Sequence, residues 1–526
     1  MTSAELHARI AERWPGLVHC RTDAATSLCE VTASPGVLAD LCGLLFLDWG
    51  LAFAGMIVEE GTTQWELRYV FHGDRRTGWV HVLVHGPVTE GTFPSIVRTV
   101  HAADWHEREA EDLFGLVFEG HPSLGDFVLH DDAWQEGVEP MRRAFSARTP
   151  MSERRPNTDW RPPRIVQAPG AFAMPIGPVF AGQHESVHFL LETVGEDVIH
   201  AIPRLFYKYR AVEKLAEQRP IDHVLPLAER FAATTAFAHA LGFCHAVETI
   251  AGAEVPDRAR LLRVFLAELE RLRHHAGAIA AICESTALGV AASQASILEE
   301  ELLRVSGALT GHRYLFGLAV PGGLATDLDD GGCRDALGRC RDTSARLDRL
   351  EHMLQTSSSF LDRLEEVGPI TDRDAWVFGL VGPIARASAL PRDLRVLQPY
   401  DAYEHLAVRV PSEREGDGYA RLRVLFAEAR ESLRLMEQAL AAVAAGAVAA
   451  PIRVRPGAAL GWVEAPRGAA FHWVRLADDG VVARYRIVPP SFVNWHGFSL
   501  GVENFAFQDF PIILATLDLS VAENDR

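Results

Sequence analysis

Two short strings in the sequence carry residue types and spacings that hydrolytic enzymes use. His184 to His188 reads H-E-x-x-H, which binds zinc when a helix places both histidines on one face. The run that it opens is short and interrupted by glycine, so a strand is an equally good interpretation. Gly497 to Gly501 reads G-x-S-x-G, but no clear helix follows it, as the nucleophile turn of a serine hydrolase requires. Neither string is therefore interpreted as a catalytic motif.

The cysteines show no pattern that would hold a metal or a cluster. The seven cysteines stand at positions 20, 29, 42, 244, 283, 333 and 340, and no two of them form a C-x-x-C pair. The glycine-rich signatures of nucleotide-binding loops are also absent. We therefore expect that this chain binds no cofactor of its own and that its thiols are reduced and pack as small apolar side chains.

Charge and hydropathy exclude two further classes of protein. The chain has 70 acidic and 51 basic residues and a formal net charge of −19, which argues against nucleic-acid binding, since that needs a basic surface. The longest apolar run, residues 439–450, is too short to span a membrane, and the first residues are polar and amphipathic. These features predict a soluble, cytoplasmic chain.

The elements that must position any site fall into two parts. Residues 1–140 are predicted to form an α+β domain, with β-rich runs at 66–71 and 79–85 joined by a turn. A helix is expected at Asp104, with Asp104 as its cap. Residues 141–170 are rich in arginine and proline and are predicted to be a linker.

Residues 171–526 are predicted to form a large, mainly helical domain. Apolar residues recur at helical spacing after Pro256 and again over 419–440, and each pattern indicates one apolar helix face. From residue 461 onwards, shorter segments such as 481–488 have β character. The adjacent pair His274 and His275 on the first of these helices is interpreted as a surface or packing pair, not as a metal site.

One segment of the first domain resembles a known family signature. Residues 104–122, DWHEREAEDLFGLVFEGHP, follow the pattern E-R-E-x-x-D-[LM]-F-G-x-x-F-x-G-H-P from Glu107 onwards. This pattern is the signature of the C subunit of bacterial respiratory complex I, so the resemblance implies that fold for residues 1–140.

The second domain resembles the D subunit of complex I and the large subunit of group 4 membrane-bound nickel–iron hydrogenases of the formate hydrogenlyase type. The matching strings occur in the family's order along the chain. They include residues 175–178, 204–214, 246–248, 256–273, 309–313, 382–395, 464–468, 490–494 and 517–526. A single chain with a C-like part followed by a D-like part is itself an arrangement of that family.

The resemblance also implies that the nickel–iron ligands are missing. Hydrogenases of this type bind the metals through four cysteine thiolates, two in R-x-C-G-x-C-x-x-x-H and two in D-P-C-x-x-C. The flanking residues of these motifs are retained here as Arg230, His239 and Asp518. The four ligand positions are occupied by Ala232, Thr235, Ser520 and Glu523. We therefore expect no hydrogenase activity and no metal in this chain.

The quinone site that the complex I resemblance implies is only partly retained. The family uses a histidine pair in an H-P-x-x-H loop and a tyrosine to hydrogen-bond the quinone. Here the loop keeps only the second histidine, His184, and the tyrosine position corresponds to Ala233. His184 is the candidate quinone-binding residue, and a loop histidine bonded to the backbone is the alternative.

The resemblance thus predicts a large peripheral-arm subunit of a membrane-associated oxidoreductase that couples electron transfer, with quinone as a candidate acceptor, to ion translocation. Its implied partners are a small subunit carrying an iron–sulfur cluster and membrane-arm subunits, through which it would associate with the cytoplasmic membrane. The alternative is a catalytically inactive scaffold or regulatory subunit of such a complex. The genomic neighbourhood would distinguish the two.

Overall fold

The fold is known from a computed structural model that describes residues 2–23, 27–135, 137–146, 148, 166, 169–180 and 185–526. The linker predicted over 141–170 therefore lies largely outside the described residues. The predicted class, an α+β part followed by a large and mainly helical part, is confirmed.

The N-terminal part is a five-stranded sheet with helices beside it. Its strands follow the order β1-β2-β5-β4-β3, in which only the pair β2 and β5 is parallel. The elements in chain order are α1 Ser3–Arg13, β1 Val18–Asp23, β2 Leu28–Ala33, α2 Leu38–Gly43, β3 Ala52–Glu60, β4 Gln64–His72, β5 Trp79–Pro87, β6 Thr92–Pro94, α3 Asp104–Phe114 and β7 Val117–Glu119. The two predicted β-rich runs are β4 and β5, which pair antiparallel.

Helix α3 lies within the signature segment, and its acidic residues accept hydrogen bonds from the loops before and after it. Glu107 accepts hydrogen bonds from Ser95 Oγ at 2.6 Å and from the Ile96 amide at 2.9 Å, and burial raises its pKa to about 7. Asp112 accepts from the Val128 amide at 2.6 Å. Asp104 does not cap α3 with its side chain, because a 3₁₀ turn runs directly into the helix and makes Ala103 the N-cap residue. That detail of the prediction was wrong.

The C-terminal part combines a helix bundle with two four-stranded sheets, of order β17-β10-β9-β8 and β11-β16-β15-β14. Its strands are β8 Ala171–Ile176, β9 His188–Val194, β10 Asp197–Arg204, β11 Arg219–Pro220, β12 Ala319–Val320, β13 Gly323–Leu324, β14 Gly457–Ala465, β15 Gly468–Leu476, β16 Val481–Val488 and β17 Phe505–Ala506. Its helices are α4 Val212–Ala216, α5 Ile221–Arg230, α6 Ala236–Ala251, α7 Asp257–Ser285, α8 Gly289–Thr310, α9 Asp330–Gln355, α10 Ser358–Leu361, α11 Asp372–Val377, α12 Gly382–Ala387, α13 Leu394–Leu397, α14 Gly418–Ala442, α15 Pro490–Val502, α16 Phe510–Leu517 and α17 Val521–Asn524. No helix within the described ranges is long and apolar enough to cross a bilayer.

Helix α7 is the centre of the bundle and packs against α6, α8, α14 and α16. The sequence predicted one apolar face for it, yet its polar residues are buried as well. They are buried because they form ion pairs with carboxylates and guanidinium groups of the surrounding elements. We call the largest set of these pairs the bundle network; it consists of Glu268, Arg386, Asp393, Arg395 and Glu428.

The charged side chains of the bundle network are fully buried, and most of their pairs are close. Arg386 Nε lies 2.6 Å from Glu428, and Arg395 Nη2 lies 2.7 Å from Asp393. Arg395 Nη1 also lies 2.9 Å from Glu268, which in addition accepts a hydrogen bond from the Tyr403 hydroxyl at 2.6 Å. Because their charged groups are fully enclosed, these pairs tie α7, α12, α13 and α14 into one arrangement.

A second buried cluster joins the two parts of the molecule. Glu109 of α3 lies 2.5 Å from Arg486 and 2.7 Å from Arg526. Glu213 of α4 pairs with Arg484, Arg486 and Arg526 at 3.1 to 3.3 Å. Burial would raise the pKa of Glu213, but the surrounding guanidinium groups lower it to about 2. The signature glutamate Glu109 thus holds the N-terminal part against β16 and the last residue of the chain.

Candidate functional site

The site is built from two chain segments that the sequence motifs single out. The first lies between α5 and α6, where a 3₁₀ turn leads to Thr235 and into α6. Glu270 of α7 accepts hydrogen bonds from the Phe237 and Ala238 amides at 2.9 and 3.0 Å, and burial raises its pKa to about 7. This contact fixes the start of α6 and so places His239 one turn inside the helix, fully buried.

The second segment lies between α16 and α17. Asp518 has a left-handed conformation (φ 47°) that ends α16, and Ser520 caps α17 by accepting a hydrogen bond from the Glu523 amide at 3.2 Å. The Glu185 carboxylate accepts from the Val521 and Ala522 amides at 2.6 and 3.0 Å. These contacts direct the Glu523 side chain inward, where it is fully buried.

The two segments meet at Glu523. Its Oε1 accepts a hydrogen bond from Thr235 Oγ1 at 3.3 Å and lies 3.3 Å from Arg467 Nη1. The Ser491 amide donates to Oε2 at 3.1 Å. We call Thr235, His239, Arg467, Asp518 and Glu523 the Glu523 cluster. Burial would raise the pKa of Glu523, but the Arg467 guanidinium and His239 lower it to about 2, so the carboxylate is ionised.

Arg467 holds both acidic residues of the cluster. Its Nη2 lies 3.2 Å from Asp518 Oδ1, and its Nε donates to the Asp518 carbonyl at 2.7 Å. Asp518 Oδ2 lies 2.6 Å from His274 Nε2. Burial lowers the pKa of His274 to about 4, so this imidazole is neutral at pH 7 and donates to the carboxylate. His274 and His275 are therefore both buried, not on the surface, and each contacts a carboxylate.

A short chain of aromatic polar groups leads from the cluster to β16. His239 Nδ1 lies 3.2 Å from His472 Nε2, and His472 Nδ1 lies 2.7 Å from the Tyr485 hydroxyl. Gly242 permits this approach, since a Cβ there would lie 2.5 Å from His472 Cδ2. His239 Nε2 lies 3.9 Å from Glu523 and has no hydrogen-bond partner in the described part of the chain. It is a buried nitrogen with unused hydrogen-bonding capacity.

The structure brings most of the residues named from the sequence together. Thr235, His239, Asp518 and Glu523 belong to one cluster, and Ser520 supports Glu523 through the helix cap. Ala232 is buried beside Thr235, whose amide donates to the Ala232 carbonyl at 3.0 Å. Arg230 does not join them. Its side chain is 59% exposed and pairs with Glu229 at 3.2 Å.

His184 lies outside the described residues, but the other four residues of its motif, 185–188, are described. Residues 185–187 form no helix, and His188 is the first residue of β9. His188 Nδ1 lies 3.4 Å from the Tyr207 hydroxyl, and Glu185 is held by α17. The strand interpretation of H-E-x-x-H is thus confirmed for residues 188–194, and the helical zinc-site geometry is not formed.

The G-x-S-x-G string lies inside a helix. Residues 497–501 belong to α15, and Ser499 Oγ donates to the Ala201 carbonyl at 2.8 Å. A nucleophile elbow needs its serine on a sharp turn between a strand and a helix. Ser499 has no such geometry, so the string has no hydrolase role.

Sequence reasoning missed three residues of the site. Arg467, His472 and Ser491 come from segments distant in sequence from the two ligand motifs. Arg467 and Ser491 do lie within strings that match the family, Glu464 to Gly468 and Pro490 to Asn494. The signal for them was present, but only the fold shows that they converge on Glu523.

The donor set of the Glu523 cluster does not fit a nickel–iron centre. It offers one hydroxyl, one imidazole and two carboxylates, and a guanidinium already lies against both carboxylates. Soft thiolates are the ligands that such a centre requires. All seven cysteines lie elsewhere, and burial raises the pKa of Cys283, for example, to about 12. Within the described ranges, no three His, Cys, Asp or Glu residues are grouped as metal ligands.

Comparisons with known proteins agree with the two-part arrangement. The family described as "Respiratory-chain NADH dehydrogenase, 30 Kd subunit" matches residues 21–151. The family described as "Respiratory-chain NADH dehydrogenase, 49 Kd subunit" matches residues 294–453 and 447–526. The order predicted from the two resemblances, a C-like part followed by a D-like part, is confirmed.

Individual relatives extend this similarity over the whole chain. Formate hydrogenlyase subunit 5 of Escherichia coli (strain K12) is 29% identical and aligns over 99% of this chain and 92% of its own length. Hydrogenase-4 component G of the same organism is 30% identical over 85% of this chain and 78% of its own length. A solved chain from "the membrane-bound sulfane sulfur reductase (MBS), an archaeal respiratory membrane complex" superposes with a TM-score of 0.63 at 26% identity, covering 68% of this chain and 99% of that one.

Proposed function

The chain belongs to the family of fused 30 kDa and 49 kDa subunits of complex I and the related group 4 hydrogenases, and we propose that it works in its complex without a nickel–iron centre. In this proposal it is the large peripheral-arm subunit of a membrane-associated oxidoreductase. It forms the wall of the reaction cavity and transmits the consequences of electron transfer to membrane-arm partners that move ions.

The observation that carries the proposal is the Arg467–Glu523 pair. The resemblance places two metal ligands at Thr235 and Glu523. Here the Thr235 hydroxyl and the Arg467 guanidinium both bind Glu523 Oε1 at 3.3 Å. A guanidinium is permanently charged, so a divalent cation at this carboxylate would face a like charge within a few ångströms in a buried environment. In this proposal, the pair takes the place of the metal that the resemblance implies.

The other two ligand positions also have uses that do not involve a metal. The Ser520 hydroxyl accepts a hydrogen bond from the Glu523 amide and caps α17, and Ala232 has no donor atom in its side chain. A four-residue set with one anionic donor cannot reproduce the charge of four thiolates. The chain would need a different redox group, supplied by a partner that carries an iron–sulfur cluster.

Quinone is the acceptor that we propose for this subunit, with His184 as the donor to its headgroup. Support comes from the position of its neighbour, because Glu185 binds the amides of Val521 and Ala522 in the segment that carries Glu523. A neutral imidazole can donate to a quinone oxygen and exchange a proton near neutral pH. His239, whose Nε2 has no partner in the described chain, is a second nitrogen that can take part in proton exchange.

The second candidate function is a scaffold that keeps the fold and its partners but has no chemistry. The close support of Glu523 favours this candidate, since Ser491, Thr235 and Arg467 together leave that carboxylate with little freedom to bind a ligand. In the scaffold, His184 would have no role in electron transfer.

The experiment that separates these functions is isolation of the native complex through a tag on this chain. Subunits would be identified by mass spectrometry and iron–sulfur clusters by electron paramagnetic resonance. The complex would then be assayed for reduction of a soluble quinone and for hydrogen production. We expect cluster signals and quinone reduction without hydrogen.

The matched variants are His184→Ala and His188→Ala, which lie four residues apart. We expect His184→Ala to lower quinone reduction by about a hundredfold or more, as loss of a positioned proton donor does, with the complex intact. His188→Ala should retain the rate. Equal rates in both variants would favour the scaffold, and hydrogen production by the complex would contradict the proposal.

A further inference from the structure

A cavity lies where the N-terminal part meets the bundle, away from the Glu523 cluster. Phe53 of β3 and His72 of β4 line it on one side, and Trp376, Arg392 and Leu394 line it on the other. Its volume is about 40 Å³. A buried water occupies roughly 10–15 Å³ on this measure, so the cavity has room for a small molecule of a few heavy atoms.

Arg392 is the unusual residue of this cavity. Its guanidinium carbon lies 5.1 Å from the centroid of the Trp376 ring, and Trp376 stacks on Phe46 with the ring centroids 5.0 Å apart. Within the described residues, the Arg392 side chain donates no hydrogen bond and forms no ion pair. Desolvation lowers its pKa to about 10, so it remains charged at pH 7. The stacked rings of Trp376 and Phe46 thus position a guanidinium that has no carboxylate partner among the described residues.

The two carboxylates that also line the cavity do not neutralise Arg392. Asp393 lies 2.7 Å from Arg395, and Glu464 lies 2.9 Å from Arg386. The remaining oxygen of Glu464 accepts a hydrogen bond from the Leu394 amide at 3.0 Å. Both carboxylates thus already have an arginine partner, whereas Arg392 lines the cavity without a carboxylate partner among the described residues.

His72 adds a hydrogen-bonding group on the opposite wall. It is 5% exposed, and its Nδ1 is buried without a hydrogen-bond partner in the described chain. Burial and the charge of Arg392 lower its pKa to about 3, which keeps the ring neutral at pH 7. A neutral imidazole carries one N–H donor and does not add a second positive charge. Beside the two carboxylates that already have arginine partners, the cavity therefore presents one guanidinium and one neutral imidazole among aromatic and aliphatic side chains.

We propose that this cavity binds a small carboxylate of about the size of acetate, with its oxygens on the Arg392 guanidinium and its apolar end against the aromatic rings. A planar guanidinium matches a carboxylate through two parallel hydrogen bonds, and the low local dielectric strengthens that pairing. The cavity volume limits the ligand to a few heavy atoms. Because the walls come from both parts of the chain, bound carboxylate would also stabilise their junction. This inference does not depend on the proposed redox function.

The test is equilibrium dialysis of radiolabelled acetate against the full chain at pH 7 and low ionic strength. We expect one saturable site per chain with a Kd on the order of 1 mM, a range suited to a ligand of so few atoms. Acetamide, which has the same shape without the charge, should not compete. Arg392→Gln should weaken binding at least about tenfold, and Arg392→Lys should retain part of it.

The control variant is Arg373→Gln, which removes an exposed arginine of α11 and should leave binding unchanged. Melting temperatures separate binding from a structural role. Acetate should raise the melting temperature of the native chain but not that of Arg392→Gln, whose unliganded value should stay close to the native one. Absence of saturable acetate binding, equal binding by Arg392→Gln, or saturation by chloride in preference to acetate would each overturn the proposal.

Discussion

The bundle network and the Glu523 cluster both pair arginines with carboxylates, but they differ in how deeply the arginines are buried and in how close most of the pairs are. In the network, three arginine–carboxylate pairs lie 2.6 to 2.9 Å apart, the fourth, Arg386–Asp393, lies 3.5 Å apart, and all of these side chains are fully buried. In the cluster, Arg467 lies 3.2 and 3.3 Å from its two carboxylates and is 11% exposed. Each region contains a buried nitrogen without a hydrogen-bond partner in the described chain, Arg386 Nη2 in the network and His239 Nε2 in the cluster.

The difference lies in the elements that carry the residues. The network residues lie on α7, α12, α13 and α14, with Asp393 as the N-cap of α13. In the cluster, Thr235, Arg467 and Asp518 come from turns, and Glu523 comes from the four-residue helix α17. The helices of the network enclose its charged groups completely, whereas the turn that carries Arg467 leaves that side chain 11% exposed. We therefore expect the fully enclosed network to contribute more to stability than the cluster.

The largest effect should follow from breaking the network. Arg386→Met removes the partner of Glu428 and Glu464 and leaves buried carboxylates uncompensated. We expect a loss of about 3–5 kcal/mol in the free energy of unfolding, measured by urea denaturation of the full chain. Arg386→Lys keeps the charge and should lose less. A loss below about 1 kcal/mol for Arg386→Met would show that the network contributes little to stability.

The same substitution in the cluster should cost less. In Arg467→Met, Glu523 keeps hydrogen bonds from the Ser491 amide and the Thr235 hydroxyl. The expected loss is about 1–3 kcal/mol in the same denaturation assay, as for a buried acceptor that loses one partner. The double variant Arg467→Met with Glu523→Gln should recover part of that loss. If Arg467→Met cost as much as Arg386→Met, the two regions would not differ as described.

Asp525 lies two residues after Glu523, and one oxygen of its carboxyl has no hydrogen-bond partner in the described chain. We expect this carboxyl to make the free energy of unfolding depend on pH. Its Oδ1 is buried without a partner in the described chain, and burial, which the Arg210 charge offsets only in part, raises its pKa to about 7. The folded state therefore binds a proton more tightly than the unfolded state, so stability falls as pH rises from about 4 to 7.

Asp525→Asn removes this ionisation. We expect the variant to match the native chain near pH 4 and to be more stable by about 1–2 kcal/mol near pH 8, measured by urea denaturation across that range. A constant difference at all pH values would mean that Asp525 does not titrate in this range.

The smallest effect should come from Arg230, a retained motif residue that is not part of the Glu523 cluster. Arg230 is exposed, pairs with the adjacent Glu229 and lies 5.4 Å from the centroid of the Phe316 ring. Arg230→Gln should change the free energy of unfolding by less than about 0.5 kcal/mol, as for other surface ion pairs. A loss comparable to that of Arg467→Met would place Arg230 in the site after all.

Much of the fold could be predicted because its signals are local. Alternation and turn residues identify β4, β5 and β16, and helical spacing identifies α7 and α14. The sheet of β8, β9 and β10 was not predicted as such, since short strands interrupted by glycine and proline carry little periodicity. The burial of polar residues on α7 depends on partners far along the chain, which no local pattern reveals.

The candidate site likewise has residues that the sequence could identify and residues that it could not. Thr235, His239, Asp518 and Glu523 could be named from motif order alone, and they do meet. Arg467 and His472 could not be assigned, because their contacts arise only when β15 and the turn before it fold against α6 and α17. The role of His184 stays a prediction.

We propose that Arg467 and Glu523 replace the metal centre. Elemental analysis of the native complex tests this most directly. The complex should be produced in cells that also make active nickel–iron hydrogenase, so that metal insertion is available. We expect nickel well below about 0.1 equivalent per chain after gel filtration, because the site lacks thiolates and holds a guanidinium. Nickel near one equivalent, lost in a Glu523→Gln variant, would contradict the account.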